Sequence, residues 1–140
     1  MTDQNNLKRF LKAQETDYST ALSEIKNGRK RSHWMWYIFP QIQGLGFSEA
    51  SKYYGIKDVN EAEAFLNHPI LGNRLLNIGK ALLELPENNV NKILGSPDDV
   101  KLKSSMTLFV TTGTDPVFQA VLDKFFDGEK DQATLKLIGI

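Results

Sequence analysis

Apolar positions recur along this chain at three- and four-residue spacing and almost nowhere at two. Leu7, Phe10, Leu11, Tyr18, Ala21, Leu22 and Ile25 fall on one stripe at about 100° per residue, which predicts an amphipathic helix. Asn5 or Asn6 is available to cap its start and Gly28 to close its end. Gln14 interrupts the stripe between Leu11 and Tyr18, where an apolar residue is expected. A buried amide finds partners or costs about 1–3 kcal/mol, so Gln14 either bonds a loop carbonyl or lines a polar pocket.

Later segments repeat the period in shorter pieces. SEASKYYG reads as two turns closed by Gly55, and DVNEAEAFLNH as a helix started by Asp58 or Asn60, with Val59, Ala62, Phe65 and Leu66 inward. Pro69 opens a longer helix over residues 69–85, with Leu71, Leu75, Ile78, Leu82 and Leu85 as its stripe and Pro86 as its stop. His68, just before it, suits a capping or flanking role. NVNKILG offers one turn. SPDDVKLKSSMTLFVTTGT then begins with Ser96 as cap, Pro97 in the first turn and Asp98 and Asp99 against the positive end of the helix dipole. On this helix Leu102, Met106, Phe109 and Val110 make an apolar side, bordered by a polar stripe of Asp98, Lys101 and Ser105 with Ser104 nearby. Asp115 and Pro116 start a helix that Gly128 ends, with Phe118, Val121, Leu122 and Phe125 inward. The tail DQATLKLIGI adds a short helix expected to dock through Leu135, Leu137 and Ile138. Only LFVTTGT looks strand-like. The predicted class is all-α: a compact single domain, residues 1–140, of about seven or eight short helices in a mainly orthogonal array.

Composition narrows the function classes. The 17 Lys and Arg balance 17 Asp and Glu, so no whole-molecule field draws in a polyanion, and a nucleic-acid partner is unlikely unless a local patch supplies it. With no cysteine and only two histidines, His33 and His68, disulfides, thiolate chemistry and a His- or Cys-rich metal centre fall away. No cofactor is implied. No apolar run approaches the roughly 18 residues needed to span a bilayer, and the polar start MTDQNNLKRF lacks a signal-peptide core, so a cytoplasmic protein without a membrane partner is expected.

One stretch departs from this ordinary picture. RKRSHWMWYIFPQ, residues 29–41, gathers three cations, a His, both tryptophans, a Tyr, a Phe and a Pro. Its aromatics cover more than one face at either period, which suggests a buried aromatic wall with a cationic approach. Pro40 restricts any helix here to about residues 32–38, with Ser32 as a possible cap. QIQGLGF follows as a loop. Two readings of the segment compete: plain core beside a solvated basic turn, and a pocket wall facing the polar stripe of the Asp98 helix, itself either a solvated edge or a pocket lining.

In the pocket reading, Arg29 and Arg31 grip a phosphate, Lys101 adds a point charge, Trp34 or Trp36 stacks a planar group, and Gln14 and Ser105 supply hydrogen bonds. The ligand expected is a phosphorylated, nucleotide- or ADP-ribose-like small molecule. His33 and Asp98 are the candidate catalytic pair, suited to N-glycosidic cleavage if the protein is an enzyme: one protonates the leaving group and the other stabilises developing positive charge. Alternatively the same segment binds single-stranded nucleic acid or forms a protein-contact hot spot.

The motifs RKRSHWMWYIFPQIQGLG, YYGI, HPILGNRL and GSPDDVKLKSSMTLF resemble a family of small, mostly bacterial proteins classed as domain of unknown function 1810, to whose members the label calpastatin is sometimes attached. The resemblance runs from about Leu7 to the C-terminus and implies an all-α single domain, without an activity. In residue types alone, the chain is also similar to the glycosidase family named for its association with NAD and ADP-ribose.

Overall fold

A computed structural model describes residues 6–139. Nine helices run along it: α1 (Lys8–Lys26), α2 (Met35–Ile38), α3 (Glu49–Tyr53), α4 (Val59–Asn67), α5 (Leu71–Glu84), α6 (Val90–Leu94), α7 (Asp98–Thr112), α8 (Val117–Phe126) and α9 (Gln132–Leu137). The protein is all-α. The β-type pairing among the described residues is one parallel bridge between Ile42 and Ile56, and the strand-like LFVTT stretch is helical. The expected seven or eight helices become nine because the short segments α2, α3 and α6 each close as helices of their own. No helix of the described residues is long and apolar enough to cross a membrane.

Several expected caps are replaced. Leu7 precedes α1 without a side-chain cap, and Asn6 takes a positive φ of 48°; Asn5 lies outside the described residues. Ser32 does not cap α2, and Ser96 does not cap α7, which begins at Asp98. Asp58, by contrast, accepts from the Glu61 amide to start α4 as predicted. His68 caps in fact: its Nδ1 accepts from the amides of Ile70 and Leu71 at 3.1 and 3.3 Å. The tail docks differently from expectation. Thr134 is buried and Ile138 partly so, but Leu137 is 48% exposed.

The interior is organised about α7, which packs on α4, α6, α8 and α9. Being surrounded, it has no solvated polar edge over its middle. Leu102 and residues 104–109 are all buried, which corrects the division into an apolar side and a polar border. Its hydroxyls are accommodated by bonding back one turn, Thr107 to the Lys103 carbonyl at 2.8 Å and Thr112 to the Leu108 carbonyl at 2.9 Å. Ser105 is the exception: its Oγ is buried with no hydrogen-bond partner among the described residues. Aromatic rings continue the packing across helices, Phe10 edge-on to Phe65 at 5.1 Å, then Phe65 to Phe109 at 5.5 Å and Phe109 to Phe118 at 5.8 Å.

One ion pair lies inside this core. Arg9 reaches Glu61 through Nη2 at 2.9 Å, with side chains 6% and 2% exposed, and its other donors go to the carbonyls of Asn6, Tyr53 and Gly55. The Lys57 amide adds a bond to Glu61. The pair fastens α1 to α4 and to the turn after α3. α5 approaches α4 so closely that a Cβ on Gly72 would lie 2.1 Å from the Leu66 carbonyl oxygen, so only glycine fits there.

Candidate functional site

Residues 29–41 cross the molecule between α1 and α7, and their cations do not act as a triplet. No helix forms over residues 29–31, and exposure alternates: Arg29 and Arg31 point outward while Lys30 turns in. Its side chain is 8% exposed, with Nζ 2.9 Å from Asp98 Oδ2, 2.5 Å from the Ser32 carbonyl and 5.0 Å above the Trp34 ring. Its backbone amide bonds the Ile93 carbonyl at 2.7 Å, tying the strand-like piece to α6.

The turn that follows is held by a single carboxylate. Glu24 on α1 accepts from the amides of Arg31 and Ser32 at 2.7 and 2.9 Å, from the Ser32 hydroxyl at 2.6 Å and from the Trp34 indole at 2.9 Å. Desolvation works to raise its pKa, but these four donors outweigh it and hold the carboxyl down at about 2. Trp34 is thereby buried at 1% exposure as part of the core, whereas Trp36, two residues on, stays half-buried.

Asp98 and Lys101, three apart on α7, carry the charge of the site. Lys101 Nζ lies 3.1 Å from Asp98 Oδ1 and 4.0 Å above the Trp36 ring. Each Asp98 oxygen therefore meets one ammonium, Lys30 on one side and Lys101 on the other. Desolvation tends to raise the Asp98 pKa, yet the two lysines bring it below the usual carboxylate range. Two cations flank one anion here.

Lys101 and Trp36 open into a cleft of about 310 Å³, whose walls also include Gln41, Leu45, Val100, Ser104 and Asp131. Asp131, the cap of α9, is fixed by donors from Ser104 Oγ at 3.1 Å and from the Thr134 hydroxyl and amide at 2.5 and 3.1 Å, all on Oδ2. The cleft is thus cationic at Lys101 and anionic at Asp131, with an indole between helices α2 and α7 as one wall. A second cleft of about 300 Å³, at the far end of α7, carries Glu63 and Asp115 and has the wrong charge for an anion.

The candidates named from sequence separate into four groups. Trp36 and Lys101 line the cleft, and Asp98 holds Lys101 from behind. Trp34 and Ser105 are buried in the core and do not line it. Gln14 belongs elsewhere: its Nε2 donates to the Tyr37 carbonyl at 2.7 Å and its Oε1 accepts from Arg74 at 3.4 Å, clamping α1 to α2 and α5. Arg29, Arg31 and His33 are exposed, and none lines the cleft. Arg29 instead borders, with Lys30 and Lys92, a separate basic depression of about 490 Å³. Asp98 makes its contacts with the two lysines rather than with His33. Glu24 and Asp131 escaped the sequence reading, Ser104 was placed only beside the polar stripe, and Lys30 and Gln41 only within the 29–41 segment. Three adjacent cations gave no signal that singles out Lys30, and for Asp131, distant in sequence, there was none either. Among the described residues no group of three or more His, Asp or Glu side chains could hold a metal ion.

Comparison with other proteins agrees with the fold. The chain is similar, at 42% identity and a TM-score of 0.95 over 99% of both chains, to the crystal structure of the conserved hypothetical protein Rv1873 from Mycobacterium tuberculosis. No curated protein matches it. The family model described as protein of unknown function, DUF1810, matches residues 4–138, and the chain belongs to that family.

Proposed function

We propose that the Lys101–Trp36 cleft binds a small phosphorylated, nucleotide-like molecule. The arrangement of Lys30, Asp98 and Lys101 carries this reading: one carboxylate shared by two ammonium groups presents Lys101 at the cleft, already oriented. An oxyanion accepts a charge-assisted hydrogen bond from Lys101. Trp36 and Leu45 supply apolar walls for a planar group, Gln41 can donate to or accept from hydroxyls, and Asp131 can accept from them. At about 310 Å³ the cleft falls within the range of small-ligand sites, about 300–1,000 Å³. Hydrolysis through His33 and Asp98 is not part of the proposal, because Asp98 is engaged on both oxygens and His33 stands exposed.

Titration calorimetry with AMP, ADP-ribose and ribose 5-phosphate tests it. At least one of them binds the wild-type protein, and Lys101→Met weakens that binding about ten- to a hundredfold, the worth of one charge-assisted contact. No binding of any probe at millimolar concentration, or equal binding by the variant, refutes the assignment. The basic depression beside Arg29 gives the control: Arg29→Ala leaves the affinity unchanged.

A further inference from the structure

The rim of the cleft is apolar in a way its walls do not explain. Phe47 is 90% exposed and follows directly on Gly46, which lines the cleft; Val100, 56% exposed, lines it as well. Scattered exposed apolar residues are ordinary, but a phenyl ring left almost wholly in water beside a cavity forgoes the burial that its type normally obtains.

The backbone carrying Phe47 is fixed at both ends and free between them. On one side the Gln43 amide bonds the Ile56 carbonyl at 2.8 Å; on the other Ser48 caps α3, accepting from the Ser51 amide at 3.1 Å. Among the described residues no hydrogen bond holds residues 44–47. Gly44 has φ +108°, in the region that favours glycine, and Leu45 packs against the core. Gly46, where a Cβ would lie 3.1 Å from the Ser51 side chain, follows, so that Phe47 can turn about this glycine with little to break while Leu45 stays in place.

We propose that Phe47 is the closing wall of the cleft: it turns about Gly46 over a bound ligand and lays the phenyl ring on the open face of a flat, purine-sized group whose other side rests against Trp36 and Leu45. This rests on the nucleotide-like assignment above and makes it more specific, because a flat ring, and not the phosphate alone, is what Phe47 would recognise. Burying the side chain in this way corresponds to about ten- to a hundredfold in affinity.

The test uses the full chain with AMP and ribose 5-phosphate as probes. Phe47→Ala, a change at an exposed position, should weaken AMP about ten- to a hundredfold by calorimetry and leave ribose 5-phosphate, which has no ring to cover, as it was. In parallel, saturating AMP should slow chymotryptic cleavage after Phe47 in the wild-type protein. If AMP binds the wild type and Phe47→Ala alike, if both probes weaken equally, or if cleavage after Phe47 proceeds undiminished with AMP bound, the closing role is overturned while the cleft remains a binding site. If AMP does not bind the wild type at all while ribose 5-phosphate does, the flat-ring inference fails alone; if neither binds, the assignment beneath it fails too.

Discussion

Replacing Glu24 should loosen the whole 31–36 turn, and by an amount that depends on pH. Its Oε1 accepts three N–H groups, from Arg31, Ser32 and the Trp34 indole, and its Oε2 the Ser32 hydroxyl. Glu24→Gln keeps an oxygen where the three N–H groups point but removes the charge that strengthens them. The fall of the carboxyl from 4.5 to about 2, at about 1.4 kcal/mol per unit, sets a ceiling of about 3.5 kcal/mol. Solvent screening at this partly exposed group brings the expected loss to about 1–2 kcal/mol at pH 7. Glu24→Ala leaves four donors unmatched, among them the indole of a buried Trp, and should cost about 3 kcal/mol. The sign with pH follows from the depressed value. Stability from Glu24 is fully present above its unfolded pKa near 4.5 and is lost as pH falls through about 2. Urea unfolding followed by tryptophan fluorescence at a series of pH values measures this directly. The gap between wild type and Glu24→Gln should be constant from pH 7 to 5, shrink below about 4.5 and close near 2. A gap that is absent at pH 7, or that is as wide at pH 2 as at pH 7, would refute the role assigned to the carboxylate.

Two further outcomes concern the core. Arg9→Met should destabilise the fold by about 3–5 kcal/mol, because it strands the buried Glu61 carboxylate; in a double-mutant cycle Arg9→Met with Glu61→Leu should cost much less than the sum of the single changes, and strict additivity would contradict the pairing. Ser105→Ala should stabilise the protein by about 1 kcal/mol, since it removes a buried hydroxyl without a partner from a helix; a lower urea midpoint for the variant would show that the hydroxyl is satisfied after all.

The site divides along a physical line between local and long-range information. Asp98 and Lys101 were legible together because three residues on a helix always place two side chains on one face. Trp36 was legible as an aromatic of unusual context, but nothing local distinguished it from Trp34. The difference comes from Glu24, ten residues earlier, which takes the Trp34 indole and pins it inward. Lys30 was hidden by its neighbours: three adjacent cations read as one solvated turn until the fold turns the middle one toward Asp98. Phe47, in the loop expected after Pro40, is 90% exposed.

Periodicity in the sequence by itself determined the all-α class, the course of α1, α4, α5, α7 and α8, and the candidate status of residues 29–41, because helix spacing and turn residues act over a few positions. The tertiary structure decided the rest. It placed α7 at the centre, so that Ser104 and Ser105 are buried where a polar border, solvated or pocket-lining, was expected. It paired Arg9 with Glu61 and brought Asp131 beside Ser104 to form a cleft wall. Such pairings join residues tens of positions apart, and only the packing of whole helices fixes which charged side chain meets a partner and which meets water.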